Sequence, residues 1–306
     1  MRNLVIGIDG GGTKTLGVLF NDAGEELLRT EFGFSNFSID EDIAITNINK
    51  TIEALLTQRE PNDNIMVIMG ISGASKLTNK TSFLEALEKT YDVKAELVTD
   101  AHIAIHSIDK NPDESVIMAI SGTGSAVMML ENDTYHLIGG YGYLLGDEGS
   151  AYHLVIQALK LVTQAFDTQH GWTPLVNKIL SFMKVDQREQ FVNYVYKLRK
   201  TELALLAKII SEAALESDEQ AHQLLCNEGK LLAYQVMIAE KRLKVKTKVR
   251  IAVRGGFVVN APYVREAFIS ELKKHIEYYT IEENPNEAVL GAYRLGIKKL
   301  SEVTSC

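Results

Sequence analysis

Leu4-Val-Ile-Gly-Ile-Asp-Gly-Gly-Gly-Thr-Lys-Thr15 is the stretch whose reading decides the fold. Its first five residues are apolar and largely β-branched, which reads as a buried strand ending at Asp9. Gly10, Gly11 and Gly12 let the backbone turn tightly and bring its N–H groups close to a ligand. The Thr13 hydroxyl and the Lys14 ammonium suit phosphate. The Asp9 carboxylate suits a hydrated Mg²⁺, which takes one or two carboxylates plus phosphate oxygens.

Two other phosphate loops are excluded. Gly7 and Gly12 have the Walker A spacing, but Thr13 stands where that loop needs lysine. The dinucleotide fingerprint fails because Thr15 occupies its last glycine position. Both motifs also run into a helix. Here residues 16–20 read as a second strand, 21–24 as a turn and 25–32 as a third strand. The loop is therefore a phosphate-binding hairpin or, on its residues alone, an ordinary glycine-rich turn.

Outward from this hairpin, the 306 residues suffice for two domains, and 46% hydrophobic content supports full cores. A net charge of −8 argues against a nucleic-acid or membrane-surface binder. No apolar run reaches the roughly 18 residues of a transmembrane span, and the apolar start is too short for a signal peptide. Cys226 and Cys306 give no disulfide framework, zinc site or Fe–S ligand set, so a cytoplasmic protein is expected.

Residues 33–38 form a polar-aromatic loop, 39–58 a helix, and 65–71 a buried strand opening into Ser72-Gly-Ala-Ser75. A helix at 82–91, a strand at 96–99 ending at Asp100, and a helix at 101–108 complete an α/β pattern. Asn111-Pro-Asp-Glu114 is the expected boundary between domains 1–113 and 114–285, with a C-terminal helix over 286–306 expected to rejoin the first. After that boundary the opening repeats: a strand at 115–120, the loop Ser121-Gly-Thr-Gly-Ser125, a strand at 126–130, a turn at Asn132-Asp133, and a strand at 134–138. This suggests an internal duplication, with a triphosphate held by one hairpin from each domain. A helix follows Gly146-Asp-Glu-Gly-Ser150, so Asp147 is a candidate helix cap. Residues 174–244 read as helical, with breaks at Met183 and Ser217-Asp218. A strand at 249–253, the turn Arg254-Gly-Gly-Phe257, a helix at 260–274, a strand at 278–281, the turn Asn284-Pro285 and the final helix close the chain. The Lys/Arg cluster at 241–248 reads as a solvated helix end.

These residues resemble the actin-like ATPase superfamily of sugar kinases, Hsp70 and actin. Asp9-Gly-Gly-Gly-Thr-Lys-Thr15 resembles its first phosphate motif, Ser121-Gly-Thr-Gly-Ser125 the second, and Gly255-Gly256 the adenosine motif. The run Gly139-Gly-Tyr-Gly-Tyr-Leu-Leu-Gly-Asp-Glu-Gly-Ser-Ala-Tyr152 is similar to the N-acetylglucosamine kinase and BadF-type ATPase family. The resemblance spans residues 8–291 and is weakest over 174–244. It implies an α/β fold of two ribonuclease-H-like domains around an ATP cleft, a homodimer, and transfer of phosphate from Mg·ATP to an amino-sugar hydroxyl. It also implies site residues. Asp100 is the general base. Asn36, Ser72, Gly140, Tyr141, Gly142, Asp147 and Glu148 contact the sugar. Gly11, Gly12, Thr13, Lys14, Gly122, Thr123 and Gly124 hold the ATP phosphates, and Gly255 and Gly256 the adenosine. Ala213, in the segment 208–214, belongs to the adenine wall, and Asp9 holds Mg²⁺. Phe257 departs from the family pattern, where many members carry a third glycine.

Each assignment has a plainer alternative. Asp100 could cap the helix that follows it, Lys14 could point to solvent, and Tyr141 could simply pack. His102 and His106 are spaced like a metal pair but lack a third ligand, so packing is expected. The substrate expected is N-acetylglucosamine or N-acetylmuramic acid, with glucosamine as the alternative. A sugar-independent ATPase of the BadF type is the rival. A dehydratase activator would need cluster cysteines, a repressor would need a DNA-binding segment before residue 4, and a chaperone would recognise protein instead of the small polar ligand that the glycine-rich blocks suit.

Overall fold

The computed structural model describes residues 2–131, 134–244, 248–283 and 285–304. The turn expected at Asn132-Asp133, residues 245–247 of the basic cluster, Asn284 and Cys306 lie outside the described residues. The chain divides into two compact units, Met1–Asp109 with Asn284–Cys306, and Lys110–Glu283.

In chain order the first unit holds β1 (Asn3–Gly10), β2 (Thr15–Phe20), β3 (Glu26–Phe32), α1 (Glu41–Leu56), β4 (Asn64–Ile71), α2 (Lys80–Tyr91), β5 (Lys94–Val98) and α3 (Asp100–His106). The second holds β6 (Ser115–Ser121), β7 (Ser125–Glu131), β8 (Thr134–Gly139), α4 (Ala151–Thr168), α5 (Pro174–Met183), α6 (Arg188–Lys197), α7 (Lys200–Ala204), α8 (Ala207–Leu215), α9 (Glu219–Arg242), β9 (Val249–Arg254), α10 (Gly256–Asn260), α11 (Val264–His275) and β10 (Tyr279–Ile281). The chain then returns to the first unit as α12 (Ala288–Thr304).

The first sheet runs β3-β2-β1-β4-β5, the second β8-β7-β6-β9-β10. In each, the first three strands are antiparallel and the last two join in parallel. The two units therefore share one topology, as the repeated strand–loop–strand pattern implied. The α/β class with a pair of sheets is as expected.

Alternation along β1 sorts the first core. Leu4, Ile6 and Ile8 pack with α1 residues Ile48 and Ile52. Val5 faces the other way, with Ile68, Ile103 and the α12 residues Ala292 and Leu300. Successive strand residues point to opposite faces, so a β1 that is apolar throughout needs helices on both sides. The C-terminal helix sits close: a Cβ at Gly291 would fall 1.8 Å from the Ile103 carbonyl oxygen, and one at Gly7 would fall 2.9 Å from that of Val289.

In the second unit α9 packs on β6, β7 and β8, α4 packs on α9, and a bundle of α5, α7 and α8 packs on α4. Two expectations are corrected here. Residues 260–274 are not one helix: Pro262 holds Ala261 extended at ψ 132°, and Tyr263 turns the chain at φ 65° before α11 begins. The stretch 174–244 breaks at Lys184 and Ser217, both left-handed, and also around Leu198 and Leu205-Leu206, where no glycine or proline signals it.

Candidate functional site

In the first unit the glycine loop, the 33–38 loop and the loop after β4 are laced together at the carboxyl ends of β1 and β4. Gly11 N–H donates to the Lys14 carbonyl at 3.0 Å and closes the hairpin turn. Ser35 N–H donates to the Gly11 carbonyl, and Ser72 N–H to the Gly10 carbonyl at 2.8 Å. A Cβ at Gly10 would meet Ser35 Oγ at 2.0 Å and Ile71 Cδ1 at 2.5 Å, so a larger residue there would have to displace both side chains. Asn36 donates from Nδ2 to Ser72 Oγ at 3.2 Å and accepts from Ser38 N–H at 2.7 Å. The two expected sugar-binding side chains of this unit are thus in contact, beside Gly12.

Asp100 follows β5. The cap of α3 is Thr99, whose hydroxyl accepts from His102 N–H, so the capping alternative for Asp100 gives way. Asp100 is the half-buried first residue of the helix and accepts from Ala101 N–H. Burial, and then the Asp100 charge, push Asp9 up to about 6, with Lys14 partly offsetting them. Two carboxylates so placed, one of them destabilised as an anion, fit an added cation. Lys14 itself pairs with Glu31 at 2.8 Å on the exposed hairpin. His102 and His106 stack at 5.1 Å, and among the described residues no group of three or more candidate ligands surrounds a metal position.

In the second unit the Ser121–Ser125 hairpin turns through Gly122 N–H donating to the Gly124 carbonyl. Its carbonyls at Gly122 and Thr123 accept from Ala151 and Tyr152 N–H, which satisfies the first turn of α4. Ser150 caps that helix, so the cap expected of Asp147 is corrected. Asp147 has φ 68° and is buried, and its carboxylate accepts from Ser125 N–H and from Lys200 Nζ at 2.6 Å. Glu148 is exposed and held by its carbonyl, which accepts from Ser125 Oγ and Gln235 Nε2. Gly140 and Gly142 have φ of 70° and 86°, and Tyr141 between them is 74% exposed, so it does not pack.

A cavity of about 610 Å³ opens beside this hairpin. Gly122 and Thr123 form its floor, Gly256, Phe257 and Asn260 one wall, and Thr201, Lys208, Ser211, Glu212 and Leu215 the other. Its size suits a nucleoside. Gly255 makes the turn into it at φ 102°, where a Cβ would strike the Ser121 carbonyl oxygen at 2.3 Å. Ala213 points into the core instead, and the wall is built by its neighbours on α8. Phe257 lines the cavity while packing in the core.

The family model for BadF/BadG/BcrA/BcrD ATPases matches residues 6–293. The chain belongs to the BadF/BadG/BcrA/BcrD ATPase family. Among curated proteins, this BadF/BadG/BcrA/BcrD chain is 29% identical to the N-acetylmuramic acid/N-acetylglucosamine kinase of Clostridium acetobutylicum over 94% of its own chain and 96% of that protein. It is 27% identical to the N-acetyl-D-glucosamine kinase of Dictyostelium discoideum over 94% and 93%. In fold it is similar to a candidate N-acetylglucosamine kinase from Chromobacterium violaceum, with TM-score 0.72 and 24% identity over 97% and 99% of the two chains. Sequence reasoning about this family member placed Ser211 in the segment expected of the adenine wall but missed Lys200, Thr201 and Asn260. Lys200 and Thr201 come from the helical region and Asn260 from the end of α10, where no motif spacing marks them.

Proposed function

We propose that this chain is an ATP-dependent kinase that phosphorylates a hydroxyl of an amino sugar, with N-acetylglucosamine and N-acetylmuramic acid as first candidates. The observation that carries this is the group at the strand ends of the first unit: Asp100 released from capping by Thr99, with the Asn36–Ser72 pair beside the glycine loop. The names and full-length similarity of the two curated relatives support the same substrate class.

In this reading the Gly10–Thr15 and Ser121–Ser125 hairpins supply N–H and hydroxyl donors to the phosphates. The cavity bounded by Gly256, Asn260 and Ser211 takes the adenosine. Asn36 and Ser72 orient the sugar, together with Gly140, Tyr141, Gly142 and Glu148. Asp100 accepts the proton of the attacking hydroxyl. Positioning and charge neutralisation account for most catalysis in phosphoryl transfer. Bound Mg²⁺, with Asp9 as its carboxylate, would supply the neutralisation of phosphate charge. A cytoplasmic location, expected from the cysteine content, and a homodimer, implied by the family resemblance, remain part of the proposal; among the described residues no helix is long and apolar enough to cross a membrane.

The test is phosphate transfer from Mg·ATP to N-acetylglucosamine, N-acetylmuramic acid, glucosamine, glucose and N-acetylmannosamine. The expected result is efficient turnover of one N-acetylated sugar, with Asp100→Asn slower by about 10²–10⁴. Preferential turnover of glucosamine would favour the free-amino alternative. ATP hydrolysis indifferent to every sugar would remove the kinase reading in favour of a sugar-independent ATPase.

A further inference from the structure

The loop between β8 and α4 carries Gly140, Tyr141, Gly142, Asp147 and Glu148, the residues of the second unit read as sugar contacts. Gly139, Gly140, Gly142, Asp147 and Gly149 all have positive φ. Glycines lose the most freedom on ordering, so a loop of this kind keeps one shape only when other elements hold it. It bonds to itself where Leu145 N–H donates to the Gly142 carbonyl at 3.2 Å. Further holds come from one face of α9, at Glu228, Leu232 and Gln235 on successive turns.

Glu228 accepts from Gly149 N–H at 2.8 Å. A Cβ at Gly149 would lie 2.9 Å from Leu232 Cβ and 3.0 Å from the Leu232 backbone nitrogen, so the loop lies directly on the helix there. Gln235 is 9% exposed and meets the loop twice. Its Nε2 donates to the Glu148 carbonyl at 2.7 Å, and a Cβ at Gly139 would fall 2.7 Å from its Oε1. One amide thus lies against both ends of the loop. The Glu148 carbonyl can only accept, which fixes the orientation of the amide and turns Oε1 toward Gly139. That oxygen is buried with no hydrogen-bond partner among the described residues. An open buried acceptor is a cost that an apolar side chain of the same size would avoid. The Glu148 carbonyl is also satisfied without Gln235, since Ser125 Oγ donates to it at 2.6 Å. The bond from Gln235 therefore places the loop more than it satisfies it.

We infer that Gln235 is a positioning residue for sugar binding: from α9 it spans the base of the loop over 139–148 and holds it in the shape that receives the sugar. Taking that loop as a sugar contact rests on the kinase reading. With Gly139 and Glu148 kept at one separation, the residues between them are ordered before the sugar arrives, which lowers the entropy that binding must offset. The effect falls on the sugar. The phosphate hairpin keeps its own bonds, from Gly122 N–H to the Gly124 carbonyl and from Ala151 and Tyr152 N–H to the Gly122 and Thr123 carbonyls.

The test compares wild type with Gln235→Met, which is close in volume and brings no nitrogen or oxygen. The substrate is whichever of N-acetylglucosamine, N-acetylmuramic acid and glucosamine the wild type turns over best. KM for the sugar is expected to rise roughly five- to tenfold, the net worth of a hydrogen bond, with kcat and the KM for ATP unchanged. Hydrogen exchange without ligands is expected to quicken at the Leu145 and Gly149 amides and to stay as in wild type at those of β6 and α9. The midpoint of urea unfolding is expected to hold or rise, because the variant deletes the open acceptor and leaves the Glu148 carbonyl its Ser125 bond. Gln235→Leu replaces Gln235→Met if the latter fails to fold. An unchanged sugar KM overturns the inference. So does a rise shared equally by ATP, which would mark a general loosening. A raised sugar KM with unchanged loop exchange would make Gln235 a direct sugar contact and overturn it as well. A wild type that phosphorylates no sugar removes the kinase reading, and the sugar role of Gln235 with it, an outcome visible before any variant is made.

Discussion

Glu228 on α9 is almost fully buried, and it accepts from Gly149 N–H at 2.8 Å and from His153 Nδ1 at 2.8 Å. It thereby anchors the loop that carries Asp147. The Glu228 hydrogen bond raises His153 above its ordinary value, although burial works against it. A raised histidine stabilises the fold fully below its unfolded value of 6.5 and loses that contribution as pH climbs through the folded value. Glu228→Gln is therefore expected to cost about 1.5–3 kcal/mol at low pH, the worth of a hydrogen bond to a charged group, and less above neutrality. Urea denaturation of both proteins at about pH 5.5 and about pH 8.5 reads this, given the ordinary histidine range. A gap that stays constant or widens with pH contradicts it. At this scale the sequence is legible only where a residue's job is set by its immediate neighbours. Gly255 is marked by the tight turn it makes. Asp100 and Asp147 were each open to a capping role, and the true caps, Thr99 and Ser150, are one residue before and three residues after them. Lys200 was invisible because its partner lies 53 positions away.

The β9–α10 turn shows how an element can depend on one missing side chain. Gly255 has φ 102°, and a Cβ there would sit 2.3 Å from the Ser121 carbonyl oxygen, which is backbone and cannot swing aside. Gly256 has open space, its nearest neighbour being Asn260 Nδ2 at 3.6 Å. Gly255→Ala should thus destabilise by at least about 1–3 kcal/mol from backbone strain and displace the end of β6. Gly256→Ala should fall within about 1 kcal/mol of wild type, the usual helix-interior difference between the two residues. Chemical denaturation of the pair checks this, and equal stability of the two variants would show that the turn relaxes cheaply. The motif Gly255-Gly256 announced the turn, but only the structure distinguishes its two glycines. The same holds for helices. The period of apolar residues over 174–244 revealed helix without revealing that Arg199 and Leu206 each begin a new one, since neither carries a breaker. Pro262 did carry one, and it divides what the apolar pattern alone presented as a single helix.

For the molecule as a whole, the shared strand order of the two sheets makes the duplication a property of topology, beyond two similar loops. It was readable because each copy begins with the same buried strand, glycine turn and antiparallel return. The dependence of the first unit on the far end of the chain was less readable, because contact across nearly the whole sequence leaves no local periodicity. α12 covers the β1–β4 face that bears Val5, Met66 and Ile68, and it packs on Ile103 of α3. Burying a side chain of this kind contributes about 1.5–3 kcal/mol, so uncovering these four costs about 6–12 kcal/mol. That is comparable to the entire stability of an ordinary domain, about 5–15 kcal/mol. The second unit has its own core, formed by β6, β7, β9, α4 and α9 without any α12 residue. Removal of residues 286–306 is therefore expected to abolish hydrogen-exchange protection of the β1 and β4 amides while those of β6, β9 and α9 stay protected. Protected β1 amides in the shortened chain would mean that the first sheet holds without its last helix. Loss of protection in both units would mean that they unfold as one cooperative body, and that the apolar faces beneath α12 stabilise the whole chain.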